Sequence, residues 1–108
     1  MVLDFDGSVA PLPGELRVPL ADWQEAVRFG CGNNTLRALA CHLATQLPAS
    51  HGPVLTGSGD FHHVSAVLLE RLAVATPIDV VVLDNHPDNM RFPFGIHCGS
   101  WVRRVAAL

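Results

Sequence analysis

Residues Ile78 to Asp88 read IDVVVLDNHPD, an apolar β-branched run that ends in Asp84-x-His86-x-Asp88. Val80, Val81, Val82 and Leu83 show no polar alternation, so the run predicts a strand buried on both faces of a helix-covered parallel sheet. In open α/β sheets, sites form outside the carboxyl ends of the strands, and Asp84, His86 and Asp88 fall at that end. Two carboxylates and an imidazole placed this closely favour a compensating divalent cation. In an extended chain Asp84 and Asp88 would stand ~13 Å apart at ~3.3 Å per residue, too far to share an ion whose ligands lie at ~2 Å. The segment must therefore curl. Pro87 fixes its own φ and biases His86 toward extended backbone, so a turn at His86-Pro87 would bring the carboxylates together and aim the imidazole elsewhere, which suits two adjacent ions. The competing expectation is a solvated loop in which Asp84 caps backbone amides.

The 108 residues suit one domain, 1–108, near the lower limit for a doubly wound enzyme. Only 16% are charged and the net charge is -3, which leaves no basic footprint for nucleic acid. All the cations are arginines, so a mechanism that needs lysine is excluded. Cys31, Cys41 and Cys98 are odd in number and contain no C-x-x-C pair, which argues against a disulfide framework or structural zinc and predicts a reducing cytoplasm. No apolar run approaches the ~18 residues of a membrane span, and no leader is evident.

Met1 to Phe5 predicts a short strand ending in Asp4-Phe5-Asp6-Gly7. Asp22 with Glu25 resembles a capping box for a helix through Phe29 that Gly30 and Gly32 end. Leu36, Leu39, Ala40, Leu43 and Leu47 form one stripe of a helix stopped by Pro48. His42 and His51 read as boundary and loop histidines. Pro53 to Thr56 predicts a second strand. Asp60 would N-cap a helix to about Ala75 that turns Val64, Val67, Leu68, Leu72 and Ala75 to the sheet. A last helix starts at Ser100. The order β-α-α-β-α-β-α predicts a three-layer α/β sandwich, a mostly parallel sheet flanked by helices. Its connections would carry Asp60, His62 and His63 to the same edge as Asp84, His86 and Asp88.

Gly57 to His63, followed some twenty residues later by DNHPD, resembles the first two metal motifs of the ureohydrolase superfamily of arginases, agmatinases and formimidoylglutamases. The resemblance covers roughly Pro53 to Asp88. It implies two manganese ions, with Asp84 bridging them, His86 on one, Asp88 on the other, and either His62 or His63 completing the first motif. It implies further a hydrolase that cleaves a non-peptide C–N bond of a linear amidine or guanidine through a hydroxide bridging the ions. The family's later Ser-x-Asp-x-Asp motif does not follow Asp88, so the chain is expected to be the N-terminal portion of an arginase-like domain. Asp4 and Asp6 resemble that Asp-x-Asp in form and are candidate ligands.

DFDGS also resembles the first motif of haloacid dehalogenase-like phosphatases, in which Asp4 would attack phosphorus and Asp6 act as general acid with Mg²⁺. That alternative lacks the family's lysine and leaves the histidines idle. A further alternative is a non-catalytic metal-binding fragment, because a small sheet with apolar faces favours association with missing sequence or a second copy. The expected partner otherwise is a small-molecule substrate, without nucleic acid or membrane. Arg91 is a candidate for recognising a substrate carboxylate. Cys98, at a helix start beside His97, is a conceivable nucleophile, although adjacent residues usually point apart. Gly57-x-Gly59 lacks the third small position of a dinucleotide fingerprint.

Overall fold

β1 (Val2–Asp4) lies between two parallel partners. On one side it pairs in register with β2 (Arg17–Pro19). On the other, Leu55 donates to the Met1 carbonyl (3.0 Å) and accepts from the Leu3 amide (2.8 Å). The computed structural model describes residues 1–73 and 77–108. Val2 and Leu3 are buried completely because this central position covers both faces of the strand. The Pro53–Thr56 strand expected from sequence is reduced to that single pairing at Leu55.

Between the sheet partners run a turn of 3-10 helix at Ala21–Trp23 and α1 (Gln24–Val27), which the Asp22 and Glu25 signal anticipated. No side-chain hydrogen bond caps either. α2 (Asn33–Gln46) follows the predicted stripe: Leu36, Leu39, Leu43 and Leu47 are buried, and the Leu47 amide closes the last turn on Leu43 O (2.9 Å) before Pro48. A 3-10 turn at Gly59–Val64 leads into α3 (Ser65–Ala73), with Ser58 rather than Asp60 at the cap position. Val64 and Val67 face the core, Leu68 packs at its edge, and Leu72 is exposed. Ala75 lies outside the described residues.

Two findings depart from the sequence reading. Gly30–Gly32 is not a helix stop but a strand, β3, paired antiparallel with β4 (Gly95–His97). Glycine is required here by close approach: a Cβ on Gly95 would lie 2.0 Å from the Cys31 carbonyl oxygen, and one on Gly30 2.6 Å from His97 Cβ. A strand spelled Gly-Cys-Gly has no alternating apolar pattern to betray it.

The second departure concerns Ile78–Leu83. These residues form no strand; Val81 is 84% and Leu83 95% exposed. A run buried on both faces needs a pairing strand and covering layers, and the described residues supply neither. The architecture is α/β, with one small parallel and one small antiparallel sheet and helices around a shared core. α4 (Trp101–Val105) closes the chain, as the Ser100 start predicted. No helix among the described residues is long and apolar enough to cross a membrane.

Leu39 is wholly buried, so Leu39→Ala is expected to lower unfolding stability by about 2–5 kcal/mol in urea titration. Gly95→Ala is expected to cost about 1–3 kcal/mol by forcing β3 and β4 apart, whereas Gly52→Ala, with nothing within 4 Å, is expected to be close to neutral.

Candidate metal centre

The site is built on an aromatic stack. Phe5, just beyond β1, lies against Phe61 with ring centroids 4.6 Å apart and planes 4° from parallel, both rings fully enclosed. Burying Phe61 fixes the Gly59–Val64 turn, so the next two side chains diverge. His63 turns inward and His62 outward. Phe29, held in the left-handed region (φ 63°), ties the turn to β4: its amide donates to Asp60 O and its carbonyl accepts from the Cys98 amide, both at 2.9 Å.

The second contribution comes from residues 84–90. The Asp84 carboxylate accepts from the His86 amide (3.0 Å), the backbone cap of the competing loop expectation, and the bend falls at Asn85–His86. Asp88 adopts φ 44°, a conformation that Asp tolerates better than most residues. Its carboxylate is buried, 6% exposed, and its Oδ2 accepts from Trp101 Nε1 at 2.9 Å. The Asp88 carbonyl accepts from Val102 N (3.1 Å), and Met90 N donates to Gly99 O (2.9 Å). The segment is thus fastened to the start of α4 rather than to a sheet.

These two pieces bring His62, Asp84 and Asp88 together, with one potential ligand atom from each lying within 4.8 Å of the others. A cavity lined by these residues, Met90 and Cys98 opens beside them. His62 Nδ1 is 2.5 Å from Gly59 O, while Nε2 is 3.1 Å from Asp88 Oδ2 and 3.2 Å from Cys98 O. An imidazole surrounded by acceptors must either carry both protons or give the Nε2 lone pair to a cation. Burial, the largest influence on His62, favours the neutral ring, but hydrogen bonds that its ring donates to Gly59 O, Asp88 Oδ2 and Cys98 O, with the Asp88 charge, outweigh it and raise its pKa. An Nδ1–H held by a backbone carbonyl is also the arrangement that fixes a ligating histidine's tautomer.

Repulsion between the carboxylates is a weaker argument. At the outer limit of 4.8 Å, like charges cost roughly 1 kcal/mol in water and roughly 3 at an effective dielectric near 20. Exposed Asp84 lies toward the lower value, so the orientation of His62 argues for a cation more strongly than crowding does.

The other sequence candidates are placed differently. The His86 side chain is 81% exposed, with Nδ1 3.8 Å from Asp84 Oδ1. His63 is fully buried with Nδ1 3.4 Å from Cys98 Sγ and no well-formed hydrogen bond at Nε2 among the described residues; burial, then the His62 charge, lowers its pKa to about 4 against a weaker opposing contact with the Val27 backbone. Asp60 pairs with Arg28 (3.5 Å). Asp4 accepts from Arg17 Nη1 (2.8 Å) and the Gly7 amide (2.9 Å). Asp6 accepts from the Ser8 hydroxyl at 2.6 Å, and hydrogen bonds from Ser8 and then Ser58 hold its pKa at about 2. Arg91 lines a neighbouring cavity.

Cys98 does not pair with His97, whose Nδ1 accepts from Gly99 N (3.0 Å). Burial, then the Asp60 and Asp88 charges, raise the Cys98 pKa and keep the thiol protonated. His42 packs against Trp23 (5.5 Å between centroids) and His51 sits in its loop beside Gly52 O, as read from sequence. Sequence reasoning missed Trp101 and Phe29. The only signal for the former was a tryptophan at the start of a terminal helix, and for the latter there was none.

Against known proteins, 62 residues are 34% identical to an uncharacterized protein of Thermotoga maritima, a match over 57% of this chain and 25% of that protein. The matched part thus spans about a quarter of the length of the curated relative. No protein-family model and no solved structure matches the chain.

The pKa shifts predict how metal-free stability varies with pH. His63 binds its proton less tightly folded than unfolded, so its burial costs stability as pH falls from 6.5 through about 4, on the order of 3 kcal/mol. His62, with its raised pKa, contributes stability that is complete below 6.5 and lost as pH rises through its folded value. Urea titrations are expected to show the first slope flattened in His63→Asn and the second in His62→Gln.

Proposed function

We propose that this chain supplies part of the metal-binding half of an arginase-like hydrolase, with His62, Asp84 and Asp88 holding a divalent cation. The observation that carries the reading is the convergence of those three ligand atoms within 4.8 Å around an imidazole whose Nε2 meets only oxygen acceptors. One imidazole and two carboxylates suit Mn²⁺, Fe²⁺ or Zn²⁺ better than Mg²⁺ or Ca²⁺, which favour all-oxygen sets. A cation bound there supplies Lewis acidity and lowers the pKa of water.

The chain's own residues prepare the site. Gly59 O holds the His62 ring by Nδ1, and Trp101 Nε1 occupies part of Asp88 Oδ2, which aims the rest of that carboxylate. Met90 and Cys98 line the cavity beside them. The reaction proposed is hydrolysis of a non-peptide C–N bond in a linear amidine or guanidine. A second ion, the role of His86, and a three-layer sandwich with a continuous parallel sheet belong to the same proposal, completed by sequence such as the remaining three quarters of the T. maritima relative. Exposed Ile78–Leu83 favours this view, because a both-faces-buried run fits a strand of a wider sheet. The phosphatase reading is less favoured, since Arg17 and Gly7 already occupy the Asp4 carboxylate.

The test is calorimetric titration of chelator-treated protein with Mn²⁺ and Zn²⁺. Saturable binding is expected, weakened at least about tenfold by His62→Ala or by exposed Asp84→Ala, and changed by less than about threefold by His86→Ala. Affinity should rise with pH as the His62 proton ceases to compete. Unchanged affinity in both His62→Ala and Asp84→Ala overturns the reading. Release of urea or ammonia from guanidino compounds, rather than phosphate from a phosphomonoester, is the activity expected of the completed, metal-loaded domain.

A further inference from the structure

A second cavity, of about 330 Å³, has walls that include Arg91, Arg103 and Arg104. Met90 lines both cavities. Three of the chain's seven cations therefore border one concave surface, while no aspartate or glutamate lines it. Arg104 is engaged, its Nε 2.5 Å from Glu70 Oε1. Arg91 and Arg103 are exposed and have no carboxylate partner among the described residues.

Glu70 offsets Arg104, but no carboxylate among the described residues offsets Arg91 or Arg103, and like charges gathered on one concave surface favour an anion between them. The rest of the lining suits a small polar molecule with an apolar body. Phe92 is braced edge-on against His97 (4.8 Å between centroids), and Asn33 is fixed by Nδ2 donating to Pro93 O (3.3 Å). A planar guanidinium presents paired N–H donors that match the two oxygens of a carboxylate or phosphate.

We propose that this cavity binds an oxyanionic small molecule, a carboxylate or phosphate, with Arg91 and Arg103 making the charge-assisted hydrogen bonds and Phe92 and Met90 supporting its apolar portion. Because it shares Met90 with the His62 cavity, it would receive the acidic end of a substrate held there. That second step rests on the hydrolase reading, whereas anion binding itself does not.

The test uses chelator-treated full chain, so that no metal contributes, titrated calorimetrically with inorganic phosphate and, separately, with malonate. Saturable binding in the millimolar range or tighter is expected for at least one, weakened at least about tenfold in the Arg91→Ala/Arg103→Ala double variant. Arg103→Lys should fall between, because it keeps the charge and loses the fork. Arg37→Ala, an exposed arginine on α2 bonded to Asn34, is expected to bind as the parent does. Stronger binding of phosphate assigns the site to a phosphoester, and of malonate to a carboxylate. Absence of saturable binding, or equal binding by the double variant, overturns the proposal. Because both arginines are exposed, circular dichroism of the variants should match the parent.

Discussion

A buried carboxylate is the constraint around which the described half of the site is arranged. Asp88 sits almost out of solvent in a left-handed backbone conformation, with Trp101 and His62 both directed at its Oδ2. Removing a carboxylate from water is tolerable only when donors or cations replace its hydration. The indole does so from α4, the imidazole from the turn ahead of α3, and the Val102 amide fixes the Asp88 carbonyl. Three segments far apart in sequence are thereby held at one point, and the exposed Asp84 is carried in with them.

What anchors that point to the rest of the molecule is packing. The Phe5–Phe61 stack couples the end of β1 to the His62 turn. Phe29 couples the same turn to β4 through two backbone hydrogen bonds. The glycines at 30 and 95 let β3 and β4 approach closely enough for that link to form. Such contacts make the positions of His62 and Asp88 a property of the core, while Asp84 and His86 ride on a segment with few buried contacts. A bound cation would therefore order residues 84–87 more than it would order His62.

The histidine pair illustrates how neighbours acquire opposite properties. His62 faces three oxygen acceptors and gains affinity for a proton. His63, one residue on, points into the core with no well-formed hydrogen bond at Nε2 among the described residues and loses it. Which of them faces the two aspartates, open in the sequence, follows from the side of Phe61 that each occupies.

By itself the sequence determined the pieces governed by local rules. The α2 stripe ends at Pro48, the first strand ends at Asp4, and Asp84 caps the His86 amide just after the valine run. It also marked two of the segments that meet at the site, because metal-ligating residue types are conspicuous in short motifs. The tertiary structure alone decided what depends on distant partners: that Gly30–Gly32 is a strand, that Trp101 holds Asp88, that Arg17 occupies Asp4, and that the valine run stands unpaired. Periodicity and spacing record what a residue needs from its surroundings. Whether those surroundings supply a hydrogen bond, a covering layer or a counter-charge is settled only when separate parts of the chain meet.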